Sequence, residues 1–390
     1  MKIFKTILKV IFSIIFILIT LINLMIVVGT YFDSVPIFGT IGNVFTVTFA
    51  HYWLIFVLAI VVICFVLALI MHSHLFHAIW IVSFTTFLFG VFIIFSVIYT
   101  LNDEGGDTDF FKSYTKQNIT GISKQTEQYE NKLSDNSYLD IYYKNDGTVD
   151  KPVILYIHGG GWTSGSRTND ADYLKQFADN GYIAISAEYD LSSANEHKVK
   201  TNEEQLTYAV AWIEQNITEY GGNTARFYMI GDSAGGNLAL ELSYKINKGD
   251  YAKVEETVLP KVKAISVLYP VTDMISLYHN SNSLLSSKVK EMVYDYMGTT
   301  PEEDKDLYDQ VSPINYVSDQ APATCIIVGN QDAVVQASQS SSLNEKLNVM
   351  GVDNELIKVP FANHLFDMGG TNVGAQAFMN ITLYWFDSYQ

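Results

Sequence analysis

The chain has 390 residues, of which 49% are hydrophobic, and a formal net charge of −17 at pH 7. Its first 100 residues contain only four charged side chains, so the remaining 290 residues carry a net charge of −19. A region this acidic repels polyanions, which disfavours nucleic-acid binding. The length suits a membrane region followed by one large domain.

Three charge-free apolar runs mark a membrane region in residues 1–100. The runs cover residues 10–30, 51–71 and 75–100. Each is long enough to cross the roughly 30 Å hydrocarbon core as a helix of about 20 residues, so we predict three transmembrane helices in contact with a lipid bilayer. The first run is longer than a signal-peptide core and has no small-x-small motif close behind it, which favours an uncleaved anchor.

The segment between the first two runs, residues 34–50, is mildly apolar. Gly39 and Gly42 are expected to break any helix there, which leaves a re-entrant loop and a surface loop as alternatives. His72, His74 and His77 lie near the second and third runs, but no carboxylate or cysteine accompanies them. We therefore predict no metal site at these histidines.

The orientation of the membrane region follows from its basic residues. Lys2, Lys5 and Lys9 precede the first run and are expected to remain in the cytoplasm. Three spans then place everything after Thr100 on the outer face, and the acidic segment 102–109 agrees with that side. We predict a multi-pass cell-membrane protein whose large C-terminal domain is extracytoplasmic.

The second half of the chain alternates strand-like and helix-like segments. Residues 101–135 are polar and are predicted to form a linker, with a short helix near Lys124–Leu133. Residues 136–390 alternate in a way that predicts a mostly parallel sheet covered by helices on both faces. Residues 278–317 interrupt this alternation with a polar, lid-like insert that contains two helical stretches.

The strongest chemical signal is the sequence Gly231-Asp-Ser-Ala-Gly-Gly236, which follows a predicted strand and precedes a predicted helix. At a strand-to-helix elbow, small neighbours allow the serine a strained backbone, and its hydroxyl stands clear of the sheet. The helix N-terminus adds positive potential where an oxyanion forms. Ser233 is therefore the predicted nucleophile.

A second glycine motif, His158-Gly-Gly-Gly-Trp162, follows the apolar strand 153–157. Consecutive glycines allow the backbone to approach a substrate and to point N–H groups at it. Lipases and esterases use such a loop, with the amide after the nucleophile, as an oxyanion hole. We predict the amides of Gly160, Gly161 and Ala234 as the donors.

A serine nucleophile needs a base, and the base needs a group that orients it. Only His279 and His364 follow the serine motif, and His364 comes shortly after a predicted strand, whereas His279 falls in the insert. Asp332 follows the predicted strand 324–328 and is the preferred acid. Asp273, which follows the preceding strand, is the competing candidate.

These motifs resemble those of the hormone-sensitive-lipase-type carboxylesterases and the related bacterial feruloyl-esterase and acetyl-esterase branch. The resemblance covers residues 137–390 and implies an α/β-hydrolase fold with a Ser233-His364-Asp332 triad. The chain departs from these relatives at Tyr189-Asp190, where many have an Arg after the tyrosine. The motifs that carry the resemblance are His158-Gly-Gly-Gly-Trp162, Gly231-Asp-Ser-Ala-Gly-Gly236, Tyr269-Pro270, Ser312-Pro313, Gly329-Asn-Gln-Asp332 and His364-Leu-Phe366.

The resemblance implies hydrolysis of a carboxylic ester through an acyl-enzyme, without a metal or organic cofactor. The expected substrate is a small-molecule or envelope-derived acyl ester. A serine peptidase or amidase on the same fold and a non-catalytic hydrolase-like binding protein are the alternatives. A transporter is disfavoured because the apolar runs carry almost no ionisable side chains.

Overall fold

The computed structural model describes residues 2–32, 38–129, 134–254, 257–280 and 285–390. Within them the chain forms two compact units. The first unit contains the residues up to Lys116 together with Gly329–Gln331 and Val359–Ala377. The second unit contains Gln117–Val328, Asp332–Lys358 and Phe378–Gln390. Neither unit is therefore one continuous stretch of the chain.

Helices form most of the first unit. They are α1 (Lys2–Tyr31), α2 (Phe38–Asn43), α3 (Ala50–Met71) and α4 (His74–Asp103), with a π-helical turn at Val44–Thr48 and a 3-10 helix at Phe110–Tyr114. Among the described residues, α1, α3 and α4 are long and apolar enough to cross a membrane. The three predicted apolar spans are thus confirmed as helices.

The short helix α2 corrects the prediction for residues 34–50. Gly39 and Gly42 do not break the helix, because α2 runs through both of them. Gly42 is tolerated because α2 packs closely on α1: a Cβ on Gly42 would lie 2.5 Å from a carbonyl oxygen of α1. On α1, a Cβ on Gly29 would lie 2.0 Å from a carbonyl oxygen of α2. Residues 33–37 of the predicted loop lie outside the described residues.

The second unit is built on an eight-stranded sheet of order β1-β2-β4-β3-β5-β6-β7-β8. The first two pairings, β1 with β2 and β2 with β4, are antiparallel, and the pairings from β4 through β3, β5 and β6 to β7 are parallel. The predicted mostly parallel sheet is confirmed. The strands are β1 (Ile122–Gln128), β2 (Tyr138–Lys144), β3 (Lys151–Ile157), β4 (Ile183–Ala187), β5 (Gly222–Asp232), β6 (Val262–Leu268), β7 (Ala323–Gly329) and β8 (Asn354–Val359).

Helices alternate with these strands. They are α5 (Ala171–Asp179), α6 (Asn202–Asn216), α7 (Ala234–Lys248), α8 (Met274–Tyr278), α9 (Ser286–Met297), α10 (Lys305–Gln310), α11 (Ala337–Met350) and α12 (Val373–Asp387). The insert 278–317 contains α9 and α10, as predicted, while its residues 281–284 lie outside the described residues. Since β3, β5, β6 and β7 are parallel, their carboxyl ends share one edge of the sheet, where α/β proteins place their ligands.

Strand β1 lies inside the segment that was predicted to be a linker. The short helix predicted near Lys124–Leu133 is wrong, because residues 122–128 pair along their whole length with β2. β1 is an edge strand with mostly polar, partly exposed side chains, so it lacks the alternating apolar pattern that identifies a strand. Residues 130–133 lie outside the described residues.

Candidate active site

Ser233 occupies a sharp turn between β5 and α7. Its backbone has φ 52° and ψ −118°, a conformation that L-residues rarely adopt. The Ser233 N–H donates to the Leu268 carbonyl at 2.9 Å, and the Ser233 carbonyl accepts from the Asn237 N–H at 3.0 Å. These bonds hold the strained residue immediately before the first turn of α7, in the geometry of a nucleophile elbow.

Glycines around Ser233 are required by close backbone packing. A Cβ on Gly231 would lie 2.4 Å from the Gly235 carbonyl oxygen, and a Cβ on Gly235 would lie 2.1 Å from the Ile157 carbonyl oxygen. Both contacts involve backbone atoms that have little freedom to move. The small residues predicted to permit the elbow therefore fill places where a side chain would collide.

The glycine loop after β3 also adopts conformations that favour glycine. Gly160 has φ 122° and Gly161 has φ 59°. A Cβ on Gly160 would lie 2.0 Å from the backbone oxygen of Ser164, so a larger residue does not fit. Ala234, whose amide is the third predicted donor, is the first residue of α7.

Asp232 connects the glycine loop to the elbow. Its Oδ1 accepts the Gly159 N–H at 2.9 Å and the Tyr156 hydroxyl at 2.7 Å. The residue directly before the predicted nucleophile thus fixes the first glycine of the predicted oxyanion loop. Asp232 is part of the serine motif, but the motif alone does not indicate this role.

His158 anchors the other side of the glycine loop. It is fully buried, its Nδ1 donates to the Gly159 carbonyl at 2.8 Å, and its ring stacks on Tyr189 with centroids 4.3 Å apart. The Tyr189 hydroxyl donates to the His158 carbonyl at 2.8 Å. Nε2 of His158 lies 3.5 Å from Oε1 of Glu188. Tyr189 is directly followed by Asp190, at the position where many members of the resembled families have an Arg.

Glu188 belongs to a largely buried ionic network that no sequence motif indicates. Arg167 Nη1 lies 2.8 Å from Glu188 Oε2, and Arg167 Nε lies 3.2 Å from Asp140 Oδ1. Burial alone would raise the pKa of Glu188, but hydrogen bonds from His158 and Arg167 outweigh it and hold this pKa below its ordinary value. The network keeps Glu188 ionised beneath the glycine loop.

The insert packs directly on the glycine loop. The Trp162 side chain is fully buried and stacks on Tyr296 of α9 with ring centroids 4.6 Å apart. A Cβ on Gly161 would lie 2.1 Å from the sulfur of Met292, which is also on α9. Helix α9 therefore covers the predicted oxyanion loop, while the lid-like role of the insert stays a prediction.

The two candidate acids have different local contacts. Asp332, after β7, is 5% exposed, and its Oδ1 accepts the N–H groups of Val334 and Val335 at 2.9 and 2.8 Å. Asp273 caps helix α8 by accepting the Ser276 N–H at 2.9 Å. The cap gives Asp273 a structural role that does not require a catalytic one.

His364 lies in the first unit, whereas Ser233, Asp332 and the three predicted oxyanion donors lie in the second. The backbone N–H of His364 donates to the side-chain Oδ1 of the neighbouring Asn363 at 2.8 Å. The competing His279 is in the insert, where its Nε2 lies 3.3 Å from Oε1 of Glu302 and both side chains are exposed. His279 therefore lies beside a carboxylate on the exposed surface of the insert.

The loop before Asp332 and the loop that carries His364 are bound to each other inside the first unit. The N–H groups of Asn330 and Gln331 donate to the carbonyls of Val359 and Ala362, both at 2.9 Å. A Cβ on Gly329 would lie 2.5 Å from the Ala362 oxygen. The predicted base and the predicted acid therefore follow two segments whose backbones are in direct contact.

Two curated relatives resemble this chain over its catalytic half. It is 27% identical over 244 residues to the probable carboxylic ester hydrolase LipM of Mycobacterium tuberculosis, covering 60% of this chain and 54% of LipM. It is 26% identical over 237 residues to the esterase LipQ of the same organism, covering 60% of this chain and 55% of LipQ. The chain thus spans about half the length of these relatives.

Solved structures establish the fold. A bacterial heroin esterase superposes with a TM-score of 0.60 at 18% identity, over 72% of this chain and 89% of that one. Esterase B from Lactobacillus Rhamnosis (HN001) superposes with a TM-score of 0.58 at 18% identity, over 75% of this chain and 95% of that one. The predicted α/β-hydrolase fold is confirmed.

The sequence profile of the BD-FAE family matches residues 139–347, more than half of the chain. The match extends from β2 to α11 and includes Ser233 and Asp332, whereas His364 follows it. The N-terminal helices lie outside it. The α/β-hydrolase part of this chain therefore makes it a member of the BD-FAE family.

Proposed function

We propose that this protein is a membrane-anchored serine hydrolase that cleaves carboxylic esters. The observation that carries the proposal is the strained backbone of Ser233, with φ 52° and ψ −118°, directly before α7. Proteins retain strain of this kind where a residue is required for function. The names of LipM and LipQ, a carboxylic ester hydrolase and an esterase, support the same chemistry.

In the proposed mechanism, the imidazole of His364 takes the hydroxyl proton as the Ser233 oxygen attacks the acyl carbon. Asp332 holds the tautomer of His364 and stabilises its cation. The amides of Gly160, Gly161 and Ala234 donate to the oxyanion of the tetrahedral intermediate. His364 then gives the proton to the leaving alcohol, which departs and leaves an acyl-enzyme.

Deacylation repeats these steps with water. His364 removes a proton from the water as its oxygen attacks the acyl carbon, and the proton then passes to the Ser233 oxygen as the acid leaves. The products are one carboxylic acid and one alcohol for each ester consumed. Each donor of an oxyanion hole contributes about 10²–10³ in rate, so the glycine loop should make a large contribution to catalysis.

The membrane assignment supports a bilayer-bound enzyme. Helices α1, α3 and α4 are long and apolar enough to cross a membrane. The lysines that precede the first span favour a cytoplasmic N-terminus and an extracytoplasmic catalytic domain. An enzyme so placed would meet small-molecule esters or acyl esters of the cell envelope.

The test uses the full chain in membranes. A fluorophosphonate probe should label the wild type and not Ser233→Ala, and hydrolysis of p-nitrophenyl esters should be lost in the variant. A series of esters of increasing acyl length identifies the preferred substrate, and matched anilides separate an esterase from an amidase. Turnover of Ser233→Ala within tenfold of the wild type would reject the proposed nucleophile.

A further inference from the structure

The segment that carries His364 packs against the helices of the membrane region, within the same compact unit. The Phe361 ring meets the Tyr31 ring edge-on, with centroids 5.2 Å apart. Asn372 donates from Nδ2 to the Thr48 carbonyl at 3.0 Å. Tyr31 ends α1, and Thr48 ends the π-helical turn that precedes α3, so the segment contacts the end of one helix predicted to cross the bilayer and the turn before the next.

Asn43, the last residue of α2, makes the most specific of these contacts. It is 1% exposed. Its Oδ1 accepts from Nδ2 of Asn363 at 3.2 Å, and its Nδ2 donates to Oε1 of Gln331 at 3.4 Å. Gln331 in turn donates from Nε2 to the Thr30 carbonyl at 3.0 Å. One buried amide of the membrane region therefore binds the residues that directly precede His364 and Asp332.

Buried amides of this kind fix position, because a buried donor or acceptor that loses its partner destabilises the fold. Asn43 is itself held in place by the close packing of α1 on α2. That packing requires Gly29 and Gly42, since a Cβ on either would lie within 2.5 Å of a carbonyl oxygen of the other helix. The loops that contain Gln331 and Asn363 thus contact rigid helices, and rigid helices hold a site more precisely than loops do.

We propose that Asn43 is a positioning residue of the hydrolase, and that the membrane region supports the catalytic base and acid as well as anchoring the enzyme. The proposal rests on the proposed function, since it assumes that His364 and Asp332 act on Ser233. Asn43 touches neither substrate nor reacting atoms and acts through Asn363 and Gln331. The hydrolase is then complete only with its membrane helices.

The experiment compares Asn43→Ala with the wild type, both full length in detergent or nanodiscs. Active sites are counted by fluorophosphonate labelling to completion, and kcat is expressed per labelled site. A misplaced base should lower kcat per site by about 10- to 100-fold, because a displacement near 1 Å can cost that much. KM for a soluble p-nitrophenyl ester should stay within about twofold. Partial unfolding would instead lower the number of sites and leave kcat per site unchanged.

Asn23→Ala is the matched control. Asn23 is also a buried asparagine of the membrane region, and its Oδ1 accepts the Trp53 indole N–H at 3.0 Å inside the helix bundle. Asn23→Ala should leave kcat per labelled site within twofold of the wild type. Asn363→Ala combined with Asn43→Ala should lower kcat per site by less than the product of the two single effects, because the two substitutions share the contact between these side chains.

Two results would overturn the proposal. One is an unchanged kcat per site in Asn43→Ala, and the other is an equal fall in Asn23→Ala. Failure of the proposed function is distinguishable from both, because the wild type would then escape fluorophosphonate labelling or Ser233→Ala would retain it.

Discussion

Trp162 stacks on Tyr296 with their rings 8° from parallel and their centroids 4.6 Å apart. The first residue ends the glycine motif after β3, and the second lies on helix α9 of the insert. Both side chains are fully buried. This contact makes the insert part of the support for the predicted oxyanion loop, so changes in α9 should affect catalysis.

Replacing Tyr296 tests that contact. Tyr296→Ala should destabilise the protein by about 3–5 kcal/mol, as large aromatic truncations do, and should lower esterase turnover because the glycine loop loses its cover. Tyr296→Phe keeps the stacked ring and should retain both activity and melting temperature. Tyr294→Ala, at a 44% exposed position of the same helix, is a second control. Full activity in Tyr296→Ala would show that α9 does not support the loop.

Gly160→Ala should reduce turnover by at least about 10²-fold, because the loss of one hydrogen-bond donor from an oxyanion hole lowers the rate by about that factor. The new Cβ would lie 2.0 Å from the Ser164 backbone oxygen, so the loop must move. Gly181→Ala is the matched control, because Gly181 also has a positive φ, 92°, but nothing lies within 4 Å of its added Cβ. Steady-state kinetics of the two variants separate loop displacement from backbone strain. Equal activity in both would remove Gly160 from the site.

Asp332→Asn should lower kcat by about 10⁴, the loss expected when a triad histidine is left in the wrong tautomer. Asp273→Asn should change it by only a few-fold, because asparagine caps a helix as well as aspartate does and the Ser276 contact remains possible. Measuring kcat for both variants decides between the acids. If the larger loss falls on Asp273, the acid has been misassigned.

The buried carboxyl of Glu241 should make the stability of the folded protein depend on pH. Glu241 lies on α7, and Lys245 Nζ is 2.7 Å from Glu241 Oε1 and 2.6 Å from Glu203 Oε2. Burial, which outweighs the attraction of Lys245, raises the pKa of Glu241 to about 7. Between pH 4.5 and 7 the unfolded chain releases this proton and the folded chain holds it, so Glu241 makes stability fall as pH rises.

Glu241→Gln should remove that contribution. The melting temperature of the wild type relative to the variant should decline between pH 4.5 and 7 and then level off. Glu219→Gln, which removes an exposed carboxylate, is the control for a general charge effect. A wild-type advantage that grows with pH would contradict the raised pKa.

Membrane topology is tested with single cysteines and a membrane-impermeant maleimide on intact spheroplasts. Val349→Cys, at a position 78% exposed on α11, should be labelled without lysis if the hydrolase is extracytoplasmic. Thr6→Cys, near the N-terminal lysines, should be labelled only after lysis. The native Cys64 and Cys325 are buried, which keeps the background low. The reverse labelling pattern would show that the number of transmembrane spans or the orientation inferred from the N-terminal lysines is wrong.

Local sequence determined a large part of this protein. The apolar runs predicted three helices, because spanning a bilayer depends on composition over about 20 residues. The backbone geometry of the Ser233 elbow and of the glycine loop was predictable because each is built by five or six consecutive residues, while their catalytic roles stay a prediction. His364 and Asp332 were chosen by their order after strands, and their catalytic roles stay a prediction.

Only the tertiary structure decided how distant segments meet. Strand β1 has polar side chains and exists because β2 offers it a hydrogen-bonding edge. Gly42 is accommodated inside α2 because α1 approaches too closely there for a side chain. Asn43 and Asn363 are 320 residues apart in sequence, yet their amides are hydrogen-bonded. Such contacts depend on how whole elements pack, and packing is a property of the folded chain that no local pattern of residues encodes.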